Sequence, residues 1–246
     1  MFYGGRTYQH CTPACIKALK IGNYHPGCPN VLEHRSAHAS IGEVLEDAYD
    51  LLRTGNGVVD LLGGGNSAKC FSVRTHQGYQ FAVKIYGEKA DPNLFKHEVR
   101  VYEHLSKLQG ASVPVILDTP RCVFDGTMSN MIFMSYGGDT AEKNHLVTSD
   151  VVDRLFKALS DIHSLGVYLE DLSLRNILID KIGRVVIIDH ESSDIRSSEA
   201  ESIKREQEAD LEACERVKRT GDMKFFKSEH PDEQDEDWDL TMITGI

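Results

Sequence analysis

Four polar side chains in the middle of this chain have the types and the order that phosphoryl-transfer chemistry needs. Lys84 lies within one apolar run, Asp171 and Asn176 are five positions apart, and Asp189 closes a second apolar run. A lysine can hold phosphate oxygens, and an aspartate can accept a proton. The oxygens of asparagine and aspartate suit Mg²⁺. The set therefore predicts a site that handles a magnesium nucleotide.

A glycine-rich segment precedes Lys84. Gly63, Gly64 and Gly65 lie between two predicted strands, where backbone N–H groups could approach phosphate oxygens without an intervening side chain. Such a run is equally common in an ordinary loop. No Gly-Lys-Ser/Thr follows it and no helix is predicted to begin there, so it is not a Walker loop.

Lys84 needs a partner to hold its ammonium near phosphates, since a lysine on a strand is ordinarily a solvated edge residue. The helix predicted near 92–108 carries Glu98, which could fix that ammonium. Glu103 is the rival partner on a different face of the helix, and we favour Glu98.

The segment Met134, Ser135 and Tyr136 ends a predicted buried strand and enters two glycines. An adenine could hydrogen-bond to the backbone at such a link. A plain strand that runs into a loop fits the same letters.

The elements that must position these residues follow from apolar spacing and turn residues. Strand patterns dominate 56–136. Thr148 or Ser149 is a suitable N-cap for one of the helices. We predict helices over 41–55, 92–108, 149–165 and 197–219, and a hairpin of strands 176–179 and 184–188 around the turn 180–183. The charge alternation of the last helix predicts that it faces solvent.

Length and composition limit the function classes. The chain has 246 residues, 41% of them hydrophobic, which is enough for a substantial core. The net charge of −11 argues against a general nucleic-acid surface or an anionic-membrane surface. No apolar run reaches the roughly 20 residues that a membrane span requires, and the N-terminus has no signal-peptide core. We therefore expect an intracellular protein.

Cysteines and a histidine near the N-terminus could form a structural zinc site. Six cysteines are too few and too scattered for a disulfide scaffold. Thiolate and imidazole groups suit tetrahedral Zn²⁺. The candidate ligands are Cys11, Cys15, Cys28 and His34, with His10, His25 and His38 as competing imidazoles. Buried reduced cysteines are the simpler alternative.

Taken in order, the glycines, Lys84, Glu98, Asp171, Asn176 and Asp189 resemble the protein-kinase superfamily. Several strings also look like small atypical fungal kinase-like proteins: Cys11-Thr-Pro-Ala-Cys15, Cys28-Pro-Asn30, Glu98–Gly110 and Gly183–Asp189. The likeness covers about residues 8–195. It implies an α+β, two-lobed kinase-like fold with a β-rich N-lobe and a reduced helical C-lobe.

The resemblance implies four segments. Residues 1–55 would be a Cys/His-rich extension with a helix, 56–137 the N-lobe and 138–220 the reduced C-lobe. Residues 221–246 would be an acidic, disordered tail. No string resembles the Ala-Pro-Glu motif or the large helical subdomain that binds peptides, so peptide recognition through such a subdomain is not expected.

The resemblance also assigns roles to single residues. Lys84 would hold the α- and β-phosphates with Glu98 positioning it, and Asp171 would be the base. Asn176 and Asp189 would bind Mg²⁺.

The chain departs from the family pattern at several positions. Leu169 and Glu170 replace the usual histidine and arginine, so control through an activation-loop phosphate is not expected. His190 and Glu191 replace the Phe-Gly that ordinarily follows the metal-binding aspartate. Arg175 could supply a positive charge that other kinases place elsewhere in this loop.

The predicted function is an ATP- and Mg-dependent phosphotransferase of atypical protein-kinase type, acting on a protein Ser/Thr hydroxyl or on a small molecule. One alternative is a pseudokinase that binds nucleotide or a protein partner without turnover. Leu169, Glu170 and the lost glycine at 191 favour that alternative, whereas the intact Lys84 and Asp171 oppose it. An unrelated α+β protein is the third possibility.

Overall fold

The computed structural model describes residues 9–54, 58–124, 126–143, 148–197 and 200–221. The chain divides into two compact units. Among the described residues, the first unit comprises 9–90 and 115–136, and the second comprises 91–114 and 137–221. The acidic tail predicted from residue 221 onward lies almost entirely outside the described residues, as does the start of the N-terminal extension.

An antiparallel sheet of six strands forms the centre of the first unit. Apolar residues dominate β2, β3 and β6, which predicts strands buried on both faces. The strands lie in the order β1-β2-β3-β6-β4, and β5 also pairs with β6. Their bounds are Val58–Gly64 (β1), Ala68–Arg74 (β2), Gln80–Tyr86 (β3), Ile116–Asp118 (β4), Arg121–Phe124 (β5) and Thr127–Met134 (β6).

Three N-terminal helices pack on this sheet. They are Pro13–Lys20 (α1), Val31–Ala37 (α2) and Ile41–Thr54 (α3). The Thr12 side chain caps α1 by accepting a hydrogen bond from the Cys15 N–H. One hydrophobic core joins helix residues such as Ile16 and Leu52 to sheet residues such as Phe81 and Phe133. The expected boundary at residue 55 therefore does not separate two cores.

The second unit is mainly helical. Its helices are Pro92–His104 (α4), the short 3₁₀ turn Ser106–Leu108, Ser149–Ser164 (α5) and Glu201–Thr220 (α6). Its short strands are Asp139–Thr140 (β7), Val167–Tyr168 (β8), Ile177–Ile179 (β9), Val185–Ile187 (β10) and Asp194–Ile195 (β11). The strands form a sheet in the order β10-β9-β7 and a separate β11-β8 pair. Residues 91–114 with α4 belong to this unit, although the expected segment boundaries placed them with the sheet.

The amphipathic helices formed where apolar spacing predicted them. The helix predicted over 149–165 is α5, and the Thr148 side chain, one of the two candidate caps, accepts a hydrogen bond from the Val151 N–H. The predicted solvent-facing helix, α6, differs from expectation, because one face of it packs on α5. Ile203, Cys214 and Val217 are buried on that face. Sparse apolar residues at helical spacing suffice for this one-sided packing.

The predicted turn at 180–183 is also present. The Asp180 N–H donates to the Arg184 carbonyl, and the Gly183 N–H donates to the Asp180 carbonyl. The structure is α+β, with an antiparallel sheet part and several helices, and is compatible with the kinase-like fold that the sequence predicts. Among the described residues, no helix combines the length and the apolar character needed to cross a membrane.

Gly138 is the glycine whose replacement should disturb the fold most. Its φ is +122°, and a Cβ built there would overlap the main-chain carbonyl of Ile179. Gly138→Ala should therefore lower the free energy of unfolding by about 3 kcal/mol or more, measured by urea denaturation. Gly126→Ala, with φ +73° but open space, should cost about 1 kcal/mol. Gly65→Ala, in open space without positive φ, should be nearly neutral. Equal effects at all three positions would contradict this backbone geometry.

Candidate active site

The glycine-rich segment is a tight hairpin tip in the first unit. Gly63 and Gly64 end β1 and pair with Cys70 and Lys69 of β2, and the Gly65 N–H donates to the Ala68 carbonyl at 2.9 Å. All three glycines are exposed. At Gly63 and Gly65 the tip presents backbone with open space around it, whereas the Lys69 side chain lies close to Gly64. Open backbone is the property that a phosphate-binding turn needs.

Lys84 lies on an interior strand of the sheet and not on an edge. In the register, Cys70 of β2 lies opposite Lys84 on one side and Ile132 of β6 lies opposite it on the other. Lys84 is half-buried, whereas every other residue of β3 is buried. Its Nζ lies 5.2 Å from the centroid of the Tyr86 ring, within the range of a cation–π contact. The solvated-edge interpretation of this lysine is therefore wrong.

The proposed adenine link begins at the end of β6. Ser135 is buried, and both its N–H and its hydroxyl are hydrogen-bonded to the backbone of Val115. Its N–H donates to the Val115 carbonyl, and its Oγ accepts from the Val115 N–H, each at 2.9 Å. The Tyr136 ring stacks on His10 at 3.7 Å between centroids. An adenine that binds here would have to use backbone groups other than the Ser135 N–H.

In the second unit, the Asn176 side chain holds Asp171. The Asn176 amide nitrogen donates to the Asp171 main-chain carbonyl at 3.0 Å and to its Oδ2 at 3.2 Å. The other carboxylate oxygen, Oδ1, is buried and has no hydrogen-bond partner within the described part of the chain. A carboxylate with one oxygen fixed and the other unpaired can accept a proton from a hydroxyl.

Asp189 comes to the same end of a hairpin as Asn176. Ile177 of β9 lies opposite Ile187 of β10, and the Ile188 N–H donates to the Asn176 carbonyl at 2.9 Å. Asp189 has φ +65°, and among the described residues only His38 shares a positive φ without being glycine. Such a conformation costs free energy, and residues that keep it cluster at ligand-binding sites.

Asp189 belongs to a group of three carboxylates in this unit. One oxygen each of Glu98, Asp189 and Glu191 lies within 4.8 Å of the others. Glu98 is 0% exposed, and one of its oxygens accepts from the His190 N–H at 3.3 Å. Hard oxygen ligands of this kind fit Mg²⁺. Glu103, the rival to Glu98, is exposed on α4.

His190 fixes the segment after Asp189. Its ring is fully buried and meets the Tyr102 ring of α4 edge-on at 5.1 Å. Its Nδ1 lies 3.3 Å from the Ser193 Oγ, and the His97 ring of α4 contacts the Ser193 carbonyl. A cleft of about 390 Å³ lies beside this turn, lined by α4 residues, Glu170 and residues 191–194. Through its contact with Tyr102, His190 packs against α4 at the position where the kinase pattern has a phenylalanine.

The other predicted loop residues are placed as follows. Arg175 is exposed, and its proposed role in the loop stays a prediction. Glu170 is exposed and Leu169 is buried. The Leu169 N–H donates to the Glu206 carboxylate of α6 at 3.2 Å. Helix α6 therefore anchors the loop that carries Asp171, two positions further along the chain.

Glu206 is part of a buried ionisable cluster between α5 and α6. The His163 ring of α5 is 1% exposed, and its Nε2 lies 3.2 Å from Glu206 Oε2. Its Nδ1 lies 3.7 Å from Asp210 Oδ2. Burial raises the pKa of the Asp210 carboxyl to about 7; His163 opposes this shift and Glu206 adds to it. The neutral form of Asp210 is therefore the one that folding favours.

This raised pKa predicts a pH dependence of stability. The unfolded carboxyl has a pKa of about 3.9, so the folded state holds the Asp210 proton more tightly. Its stabilising contribution is fully present below pH about 4 and is lost as the pH rises through about 7. Asp210→Asn, which keeps the shape without the charge, should raise the free energy of unfolding by roughly 1–3 kcal/mol at pH 8.5.

The measurement is urea denaturation at pH 5 and pH 8.5. Asp210→Asn should gain much less at pH 5, where the native carboxyl is already protonated. Glu208→Gln, an exposed change on the same helix, should show no such difference. A gain of equal size at both pH values would refute the raised pKa.

Sequence reasoning missed several of these residues. Glu191 follows Asp189 by two positions, and its carboxylate type could have marked it as a third ligand candidate. Glu206 and Asp210 gave no such signal, because the charge alternation of α6 hides which acids are buried. Lys84 and Glu98 lie in different units, and their pairing stays a prediction.

Comparisons with known proteins give distant, partial matches. The chain is 31% identical over 204 residues to the meiotic driver SPOK2 of Podospora anserina, covering 75% of this chain and 26% of that protein. It is 27% identical over 146 residues to YrzF of Bacillus subtilis, named as a candidate serine/threonine-protein kinase, covering 57% of this chain and 62% of YrzF. It is 32% identical over 155 residues to the CBL-interacting serine/threonine-protein kinase 1 of Arabidopsis thaliana, covering 57% and 32%.

No family model matches the chain. The chain spans less than two thirds of each of these relatives, and only about a quarter of SPOK2. These matches support a kinase-like relationship. The narrower likeness to small atypical fungal proteins stays a prediction.

Proposed function

We propose that this chain is an ATP- and Mg-dependent phosphotransferase of atypical protein-kinase type, which transfers the γ-phosphate to a hydroxyl. The observation that carries the proposal is the arrangement of Asp171. Asn176 donates two hydrogen bonds to it, and its Oδ1 is buried and unpaired within the described residues. A carboxylate held in this way is suited to accept a hydroxyl proton during attack on a phosphoryl group.

In this proposal Asp171 orients the acceptor hydroxyl and takes its proton as the new oxygen–phosphorus bond forms. The bond from the γ-phosphorus to the bridging oxygen breaks, and ADP leaves. Asn176 and Asp189 would hold Mg²⁺, with Glu98 and Glu191 as additional carboxylates beside Asp189. When bound, Mg²⁺ neutralises phosphate charge that builds up during transfer.

The first unit would supply the nucleotide contacts. Lys84 would pair with phosphate oxygens, and the exposed backbone of Gly63, Gly64 and Gly65 would lie against them. The position of Lys84 supports this role. Lys84 is the half-buried, positively charged residue of a strand whose other residues are all buried. Met134 and Tyr136 would offer the backbone groups for adenine, since the Ser135 N–H is engaged.

The acceptor we propose is a serine or threonine hydroxyl of a protein. Two of the relatives above carry serine/threonine-protein kinase in their names, and this is the support for the choice. A small-molecule hydroxyl is the other acceptor class that the same chemistry allows. We also propose an intracellular setting, where ATP is available and where the six cysteines, all free in the structure, stay reduced.

Radiolabel transfer tests the proposal. Purified chain, Mg²⁺ and ATP labelled in the γ-phosphate should transfer label to itself or to casein, a general hydroxyl acceptor. Chelation of Mg²⁺ should stop the transfer. Absence of any transfer or of any ADP formation, in protein that binds Mg-ATP, would reject the enzyme and leave the binding function.

That second function, a pseudokinase that binds nucleotide or a partner without turnover, has one observation in its favour. Glu170 and Glu191 stand where the family pattern has an arginine and a glycine, and Glu191 brings a third carboxylate beside Asp189. Extra negative charge there opposes the approach of anionic substrate. Under this alternative, the wild type should bind Mg-ATP without forming ADP. Glu191→Gly, which removes one of the three carboxylates, should bind Mg-ATP more tightly and still form no ADP.

A further inference from the structure

Three thiols and one imidazole converge in the first unit, and none of the four residues is assigned to phosphoryl transfer. The Sγ atoms of Cys11, Cys15 and Cys28 and a ring nitrogen of His34 all lie within 4.8 Å of one another. Each of the four residues is at most 3% exposed. The His34 Nε2 lies 3.4 Å from Cys11 Sγ and 3.3 Å from Cys28 Sγ.

These separations match ligands that share one tetrahedral zinc ion. Zn–S bonds of about 2.3 Å and Zn–N bonds of about 2.0 Å at tetrahedral angles place sulfur and nitrogen about 3.5 Å apart. The two observed sulfur–nitrogen distances, 3.4 and 3.3 Å, are close to that value. Three cysteines with one histidine is a common ligand set for structural zinc.

The local sequence brings the four ligands together. Cys11 directly precedes the Thr12 cap, and Cys15 lies on the first turn of α1. The Cys28 carbonyl accepts a hydrogen bond from the Val31 N–H, and this turn leads into α2. His34 lies on α2, on the buried side of that helix. The segment from residue 11 to residue 34 therefore wraps around one point.

Neighbouring groups orient the ligands. The His34 Nδ1 lies 3.2 Å from the Gln77 carbonyl, which can only accept a hydrogen bond. The Nδ1 therefore carries the proton, and the Nε2 lone pair points at the thiols. The Tyr79 ring stacks on the imidazole at 3.8 Å. Hydrogen bonds of this kind to the remote ring nitrogen are typical of metal-bound histidines.

The Cys11 sulfur has donors of its own. The Gln80 N–H donates to it at 3.3 Å, and the Asn30 amide nitrogen lies 3.6 Å away. Outer hydrogen bonds of this kind orient the ligand atoms of metal sites. The Cys11 N–H in turn donates to the Gln80 carbonyl at 3.0 Å, so this ligand is clipped to the start of β3.

The competing imidazoles have other contacts. The His10 ring bonds to the Ser72 hydroxyl and stacks on Tyr136. The His25 Nδ1 accepts from the Gly27 N–H, and His38 is an exposed residue at the end of α2. Disulfides do not account for the cluster either, because all of its cysteines are free.

We propose that Cys11, Cys15, Cys28 and His34 bind one structural Zn²⁺. Four protein ligands close the coordination shell, so the ion has no open position for catalysis. Its role is to fix the N-terminal segment against the β2–β3 hairpin, which the contacts of His34 and Cys11 with residues 77–80 already indicate. The inference stands independently of the proposed phosphotransferase activity.

Metal content of the full chain is the first test. Protein expressed in zinc-supplemented medium and purified without chelator should contain zinc in a 1:1 ratio by elemental mass spectrometry. Thiol modification in the presence of a chromogenic zinc chelator should release the same amount. Cobalt-substituted protein should show the sulfur-to-cobalt charge-transfer band and the d–d bands of a tetrahedral site.

Matched variants identify the ligands. Cys28→Ser and His34→Gln should lose the zinc and lower the melting temperature, whereas Cys122→Ser and His38→Gln, outside the cluster, should retain both. Should the ligand variants fail to fold, the cobalt spectrum of the wild type decides the ligand set. The proposal would be overturned by wild-type protein that contains only traces of metal. Mass spectrometry would then show the three thiols either free or with a disulfide among them.

Discussion

Asp171→Asn should lower the rate of phosphoryl transfer by about 10²–10⁴-fold, the usual contribution of a positioned general base. The amide keeps the size of the side chain and can still contact Asn176, but it cannot accept the hydroxyl proton. Mg-ATP affinity should stay nearly unchanged, because Asp171 is not assigned to the metal or to the nucleotide. The measurement is the initial rate of ADP formation at saturating Mg-ATP, with binding followed by calorimetry.

Asp150→Asn is the matched control for this variant. Asp150 is an exposed aspartate in the first turn of α5, so the same charge is removed away from the loop. Its rate should equal that of the wild type. A wild-type rate in Asp171→Asn would show that another group takes the proton, and a parallel loss of Mg-ATP affinity would show that Asp171 acts in binding.

Asp189→Ala should abolish Mg-dependent ATP binding. The carboxylate is the expected principal metal ligand, and it is held by a backbone with φ +65° beside Glu98 and Glu191. Without it the two remaining acids repel the nucleotide phosphates with less metal charge to offset them. The thermal shift that ATP produces in the presence of Mg²⁺ should disappear, while ATP alone should have little effect on either protein.

Two comparisons make the Asp189 result interpretable. Asp150→Ala should keep the full Mg-ATP shift. Asp189→Asn retains one oxygen ligand without the charge and should fall between wild type and Asp189→Ala. Unchanged Mg-ATP affinity in Asp189→Ala would remove Asp189 from the metal site and with it the proposed roles of Glu98 and Glu191.

Local patterns in the sequence predicted the elements that carry the site. Apolar residues at helical spacing and a capping threonine located α5, and two short apolar runs around a glycine turn located the β9–β10 hairpin. These signals depend on neighbours along the chain, which is why the sequence alone contains them. The five-residue spacing of Asp171 and Asn176 did not predict the hydrogen bond between their side chains, which the structure shows.

Features that depend on distant residues were not predictable in this way. Helix α6 carries alternating charge, so nothing in its letters distinguishes Asp210, which is buried on α5, from the exposed Glu208. The N-terminal imidazoles are similar in sequence terms, and only the contact of His34 with two thiols separates it from His38. The hydrogen bond from the Ser135 N–H to the Val115 carbonyl depends on how the sheet brings these two residues together, which the sequence alone does not show.

Paired isotopic labelling of ATP tests the central claim most directly. Wild-type chain should be incubated with Mg²⁺ and ATP labelled either in the γ-phosphate or in the α-phosphate, and the products separated. The account predicts label on the acceptor from γ-labelled ATP alone, with ADP as the nucleotide product. Label transferred from the α-position, or no ADP from a chain that is folded and purified intact, would contradict it.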